Sequence, residues 1–315
     1  MKKPNTNNAR HGISVIDTGY LRERFAASHL LIENGKAAFI DVGTNFSVGR
    51  LTDALHAAGL KDEDVLYIIL THIHLDHAGA TGALVKIFPN ASVVVHPRGA
   101  QHICNPEKLI IGSIAVYGKD RFDALYGELL SFSSDRLILA EDGLVLDFEG
   151  RKLHFFDTPG HARHHVCMWD PVSKGIFTGD TFGLGYPELQ KRSECPFLIC
   201  TTSPAAFDPD DLLLSIEKIE RLNPETLFLT HFGPVPFHSD ASFLLKQFVK
   251  IHKEKALEYH SESDVFKKEL TLVFEKAFTE YTAGIGEIDE LRRILADDIE
   301  LNVQGASIWA KRKLA

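Results

Sequence analysis

Three histidines and one aspartate fall within six positions in Thr71-His72-Ile73-His74-Leu75-Asp76-His77. They end an apolar, β-branched run, Leu66-Tyr67-Ile68-Ile69-Leu70, which predicts a buried strand over 66–71. Imidazoles and a carboxylate at the end of a buried strand each need a partner, and a divalent metal suits all four. Three later positions repeat the pattern of strand, tight turn and one donor. They are His161 in Thr158-Pro159-Gly160-His161, Asp180 in Thr178-Gly179-Asp180, and His231 in Thr230-His231. Loops leaving one edge of a rigid sheet are where sites are usually built. Five histidines and two aspartates converge if those strand ends lie together.

The spacing suits two metals. Residues i and i+2 of an extended segment project to the same side, so His72 and His74 can grip one ion. Asp76 and His77, beyond the turn, can reach a second. His161 completes the first set, His231 the second, and Asp180 can bridge the two. Ions about 3.5–4 Å apart share a water or hydroxide whose pKa falls towards neutrality, so it can attack a carbonyl or phosphorus centre. That is hydrolysis without a protein nucleophile, with Asp76 and Asp180 keeping the hydroxide charged and oriented.

The elements that must position these donors are legible as alternating signals. A strand over 13–17 precedes a hairpin, Ser28–Glu33 and Lys36–Asp41, joined by Asn34-Gly35, whose positive φ angles suit a tight turn. A helix over 46–58, the strand 66–71, a helix over 80–88 and a strand over 92–96 follow, an α/β layering. Residues 98–131 carry mixed helical signals (Tyr117, Phe122, Leu125, Leu129) and read as a helical insertion near the strand ends. Strands over 136–140, 144–148, 152–157, 165–169 and 175–178 predict a second sheet, giving a sandwich of two mixed sheets with helices outside. A helix over 209–222 and a strand over 226–230 complete a domain spanning 13–238, after a lead-in over 1–12. From residue 239 to 315 the pattern is all-helical. Its apolar stripes (Phe243, Phe248, Phe266, Phe274, Leu291, Leu295, Ile299) are more simply core or cap packing than a cofactor site.

The net charge of −9, from 34 basic and 43 acidic residues, argues against nucleic acid or an anionic membrane as a bulk partner. The four cysteines form no C-x-x-C pair and no disulfide framework. No secretory signal and no apolar span of ~20 residues is present, so the expected address is a reducing cytoplasm.

The donor set resembles the metallo-β-lactamase superfamily, whose hallmark is His-x-His-x-Asp-His followed by a further His, Asp and His. The match runs in order over roughly residues 13–235. The resemblance implies an α/β fold, the four-layer αβ/βα sandwich, here with an α-helical C-terminal extension. It also implies a site for two divalent ions, zinc first, with iron or manganese as alternatives. Asp41, in Ile40-Asp41-Val42-Gly43, matches the superfamily's buried Asp that orients a ligating histidine. Thr158-Pro159-Gly160-His161 followed by His165 is similar to the glyoxalase II and lactonase branch. The flavodiiron branch is disfavoured, because it carries Glu where His74 stands.

Other residues divide between chemistry and plainer roles. His165 either supports the metal ligands or caps its strand. His164 and His96 read as ordinary hydrogen-bonded histidines, and Asp157 as either an orienting group or a turn residue. Phe182 and Tyr186, in Phe182-Gly183-Leu184-Gly185-Tyr186-Pro187, read as a loop over the site. Tyr186 either donates to a substrate oxygen or walls the pocket. Cys195 and Cys200 have no neighbouring base and read as inert; His102 and Cys104 read as surface or pocket lining. These readings point to a metal-dependent hydrolase of a small-molecule ester, thioester or lactone, with phosphodiester second. The competing readings are a mononuclear iron dioxygenase of the persulfide-oxidising type and a non-catalytic ligand sensor. The C-terminal helices are a candidate homodimer surface.

Overall fold

The computed structural model describes residues 10–204 and 206–315. Most of the expected lead-in, residues 1–9, lies outside the described residues. Two six-stranded sheets carry the fold. The first holds, in spatial order, β1 (Ile13–Asp17), β2 (Ala27–Glu33), β3 (Lys36–Ile40), β4 (Val65–Ile69), β5 (Ser92–Val95) and β6 (Leu137–Leu139). β1, β2 and β3 are antiparallel neighbours. The β2–β3 turn has Asn34 at φ 46° and Gly35 at φ 76°, the positive values that Asn-Gly was expected to supply.

From β3 to β6 the pairing is parallel, which demands a crossover between each pair. The crossovers are helical. They are α1 (Val48–Ala57), then α2 (Leu75–Ala78) with α3 (Thr81–Ile87), then α4 (Pro97–Cys104), α5 (Glu107–Tyr117) and α6 (Lys119–Tyr126). The strand expected over 136–140 was grouped with the second sheet, but as β6 it pairs parallel with β5 in the first. Its sequence closeness to the next strand mimics a hairpin. The chain instead leaves one sheet at Ala140 and enters the other after Asp142-Gly143.

The second sheet runs β7 (Val145–Phe148), β8 (Arg151–Asp157), β9 (Val166–Asp170), β10 (Gly175–Gly179), β11 (Thr226–Leu229) and β12 (Gly233–Pro236). β7 to β10 pair antiparallel. β12 is absent from the sequence reading because Pro234 and Pro236 argue against a strand; an edge position tolerates them.

By packing, the chain forms two compact units. The first takes the chain up to Asp157 with His164–Gly179 and Phe228–Pro234. Its core follows the period of two along the strands. Ala37 and Phe39 of β3 bury with Leu51, Leu55, Leu84 and Phe88 of the covering helices. Ala38 and Ile40 bury between the sheets with Phe148, Phe155 and Phe177. Each such phenylalanine stabilises the fold by roughly 1.5–3 kcal/mol. The helical insertion packs through Phe122 and Tyr126 on Tyr20, Ala26 and Leu75, beside the histidine cluster.

The second unit comprises Thr158–Arg163, Asp180–Leu227 and Val235–Ala315. It contains α7 (Pro209–Glu220), α8 (Ser239–Tyr259), α9 (Ser263–Tyr281) and α10 (Ile288–Leu314). Asp208 caps α7 by accepting from the backbone N–H of Asp210 and Asp211, with Pro209 at the first helical position. Phe197, Phe248, Phe274 and Phe278 pack edge to face in its core, with Phe248 and Phe274 5.0 Å apart. No described helix is long and apolar enough to cross a membrane.

Candidate metal centre

β4 ends at Ile69, and a short irregular stretch with a bend at Thr71 leads to α2, which begins at Leu75 with His74 at its N-cap in an extended conformation. This places His72 and His74 on the connecting stretch and Asp76 and His77 in the single turn of α2. His72 Nε2 lies 2.9 Å from His74 Nδ1, while His72 Nδ1 lies 3.1 Å from Thr71 Oγ1.

Asp41, fully buried with φ 50°, follows β3 and gathers four donors. Its carboxylate accepts from the Thr71 backbone N–H (2.9 Å), Thr71 Oγ1 (2.9 Å), Thr230 Oγ1 (2.7 Å) and His77 Nδ1 (2.8 Å). His231 Nδ1 donates to the Phe25 carbonyl at 3.0 Å. With both Nδ1 atoms engaged by acceptors, the hydrogen-bond network assigns a lone pair to Nε2 of each ring. Those two Nε2 atoms face one another at 3.3 Å. Asp76 Oδ2 stands 3.4 Å from the His231 nitrogen and 3.7 Å from the His77 nitrogen. Two lone pairs and a carboxylate oxygen on one point repel unless a cation joins them. This donor set fits a divalent metal.

The second unit repeats the logic. His161 Nδ1 faces the Thr201 carbonyl at 3.3 Å, and its Nε2 faces Asp180 Oδ2 at 3.2 Å. Gly160, at φ 132°, makes the turn possible: a Cβ there would stand 2.3 Å from the Leu212 backbone. Gly179 serves the first unit similarly, since a Cβ would come within 2.6 Å of both His165 Nε2 and Thr71 Oγ1.

His165 is fully buried, its ring stacked 5.0 Å from His72. His164 Nδ1 accepts from the Ile73 N–H at 3.5 Å, and His96 Nε2 meets Asp157 Oδ1 at 3.1 Å. Phe182 and Tyr186 are both buried, and the Tyr186 hydroxyl donates to Asp298 of α10 at 3.1 Å. Burial pushes the Cys200 thiol far above its ordinary range and raises Cys195 and Cys104 more mildly. Cys104, at the end of α4, is buried rather than at the surface; His102 is half-buried.

Sequence reasoning passed over Thr71, Thr230, Phe25 and Thr201, which orient the histidines, and Asp298 and Asn302. The last two had a signal: they are polar residues standing in the apolar stripe that runs through Leu291 and Leu295.

The family model of the metallo-beta-lactamase superfamily matches residues 21–231, more than half of the chain. The chain is 27% identical over 172 residues to the metallo-beta-lactamase fold-containing protein ST1585 of Sulfurisphaera tokodaii, covering 54% of this chain and 61% of that one. Its crystal structure superposes with a TM-score of 0.62 at 23% identity, over 94% of this chain and 98% of that one. An N-acyl homoserine lactonase of Bacillus thuringiensis is 25% identical over 184 residues, 58% of this chain and 61% of its own. An atrochrysone carboxyl ACP thioesterase of Aspergillus fumigatus is 32% identical over 114 residues, 36% and 26% respectively. In sequence the chain thus spans at most 61% of the length of these relatives. The two sheets, the helical crossovers and the strand-end histidines and aspartates have one common source: this chain belongs to the metallo-β-lactamase superfamily.

Proposed function

We propose that this protein is a metal-dependent hydrolase of an ester-type bond in a small molecule, with carboxylic ester, thioester and lactone ahead of phosphodiester. The observation that carries the reading is the meeting of His77 Nε2, His231 Nε2 and Asp76 Oδ2, atoms that repel without a cation. His72, His74, Asp76, His77, His161, Asp180 and His231 are the proposed ligands of two divalent ions, zinc first. Such ions supply a water acidic enough to attack at neutral pH and a Lewis acid for the oxyanion.

The chain's own residues do the rest. Asp41 holds the His77 ring so that Nε2 faces inward. Phe25 does the same for His231 through its carbonyl. Asp76 Oδ2 and Asp180 Oδ2 are the carboxylate oxygens able to take the proton of an attacking water. Leu75, Phe122 and Tyr126 wall off bulk water beside α2. Relatives named as a lactonase and a thioesterase support the ester class. The net charge of −9 disfavours a polyanionic substrate.

Elemental analysis of protein purified without chelator, beside a panel of lactone, thioester and phosphodiester substrates, tests this. Two metals per chain, with turnover lost in Asp180→Asn, is the expected result. One iron with oxygen uptake and no hydrolysis would overturn it in favour of an iron dioxygenase.

A further inference from the structure

Three residues at i, i+4 and i+7 of α10, Asp298, Asn302 and Gly305, share one face of that helix. All three meet the loop that follows Asp180. Asp298 accepts from Tyr186. Asn302, 1% exposed, makes a two-pronged contact with backbone: its Oδ1 accepts from Thr202 N–H at 2.8 Å and its Nδ2 donates to the Cys200 carbonyl at 2.9 Å. Thr202 Oγ1 answers by donating to the Asn302 carbonyl at 3.2 Å. Gly305 lets the helix come this close, since a Cβ there would stand 2.3 Å from Thr202 Oγ1 and 3.0 Å from the Ser203 carbonyl.

The consequence follows from the planarity of one peptide bond. Thr202 N–H and Thr201 C=O belong to the same trans unit, so they point in opposite directions. Drawing the N–H onto Asn302 aims the carbonyl away from α10. That carbonyl is the one facing His161 Nδ1, at 3.3 Å. The next residue holds the backbone of the same histidine, with Ser203 Oγ donating to the His161 carbonyl at 2.8 Å. We propose that Asn302 is a positioning residue: by fixing the 201–202 peptide it sets the ring of His161 and so the direction of its Nε2. The C-terminal helix is thereby part of the metal-binding apparatus, although it contributes no ligand. This rests on the reading of His161 as a ligand.

Zn2+ affinity of the full chain, by competition with a chromophoric chelator, tests the proposal. Asn302→Leu keeps the branching and the number of side-chain heavy atoms and removes both hydrogen bonds; its Zn2+ affinity should fall by about tenfold or more. Leu295→Ala, a buried apolar position on the same helix, controls for lost stability and should bind Zn2+ within about twofold of wild type at a matched melting temperature. In a His161→Ala background, Asn302→Leu should add nothing, because its effect passes through that ring. Asn302→Leu binding as wild type does, or an equal loss with His161 absent, would overturn the proposal. Should the wild type bind no Zn2+ at all, the hydrolase reading fails on its own. The proposal is then decided by NMR of the His161 ring, its signals assigned by their loss in His161→Ala. Signals displaced or broadened in Asn302→Leu support it, and unchanged signals overturn it.

Discussion

Asp41 shows how much one buried carboxylate can hold. Asp41→Ala would leave the Thr71 N–H, two threonine hydroxyls and His77 Nδ1 without their acceptor. Urea unfolding should show a loss of about 2–4 kcal/mol, and chelator competition a Zn2+ affinity weakened roughly tenfold to a hundredfold. Two other buried residues predict a pH dependence. Desolvation lowers the pKa of His29 and of His252 from 6.5 to about 4. Below pH 6.5 the unfolded chain takes up a proton at each site that the folded chain refuses. Stability is therefore full above pH 6.5 and falls as pH drops towards 4, by up to about 3 kcal/mol per group. Urea midpoints at about pH 7.5 and pH 5 should differ, and His252→Leu should shrink the difference. The seven candidate ligands stand out in the sequence because each follows an apolar strand. Their holders do not, since Thr71, Thr230 and the Phe25 carbonyl belong to residue types and atoms found everywhere.

Among the elements, the tight turns after strands carry the most constraint. Gly160 at φ 132° lies where other residues are strained by about 1–3 kcal/mol, before any clash with Leu212. Gly160→Ala should lower the unfolding free energy, read by urea titration, by at least that amount and weaken metal binding with it. Most strands and helices can be read from periodicity, the Asn34-Gly35 hairpin best of all, because its turn chemistry and its strands agree. β6 and β12 could not be placed that way. Which sheet a strand joins is decided by pairing, as β6 with β5 shows. Pro234 and Pro236 hide β12 because edge strands waive the rule against proline. Nor does periodicity separate the packing stripe of α10 from the polar face that carries Asn302, as the two share one helix surface.

For the molecule as a whole, the candidate ligands come from strand ends scattered between residues 72 and 231, so metal binding and folding are coupled. Dialysis against a chelator should lower the melting temperature, and restored Zn2+ should raise it in proportion to RT ln(1 + [Zn2+]/Kd). Scanning calorimetry of the two forms checks this. Contacts within the second unit between residues far apart in sequence have one further result. The loop after Asp180 cannot settle when it is made, because the asparagine that grips Cys200 and Thr202 is encoded 102 and 100 residues later. A nascent chain already carrying every candidate ligand up to His231 would still lack the clamp on the Thr201 peptide, and its His161 ring would be set only once α10 had been made.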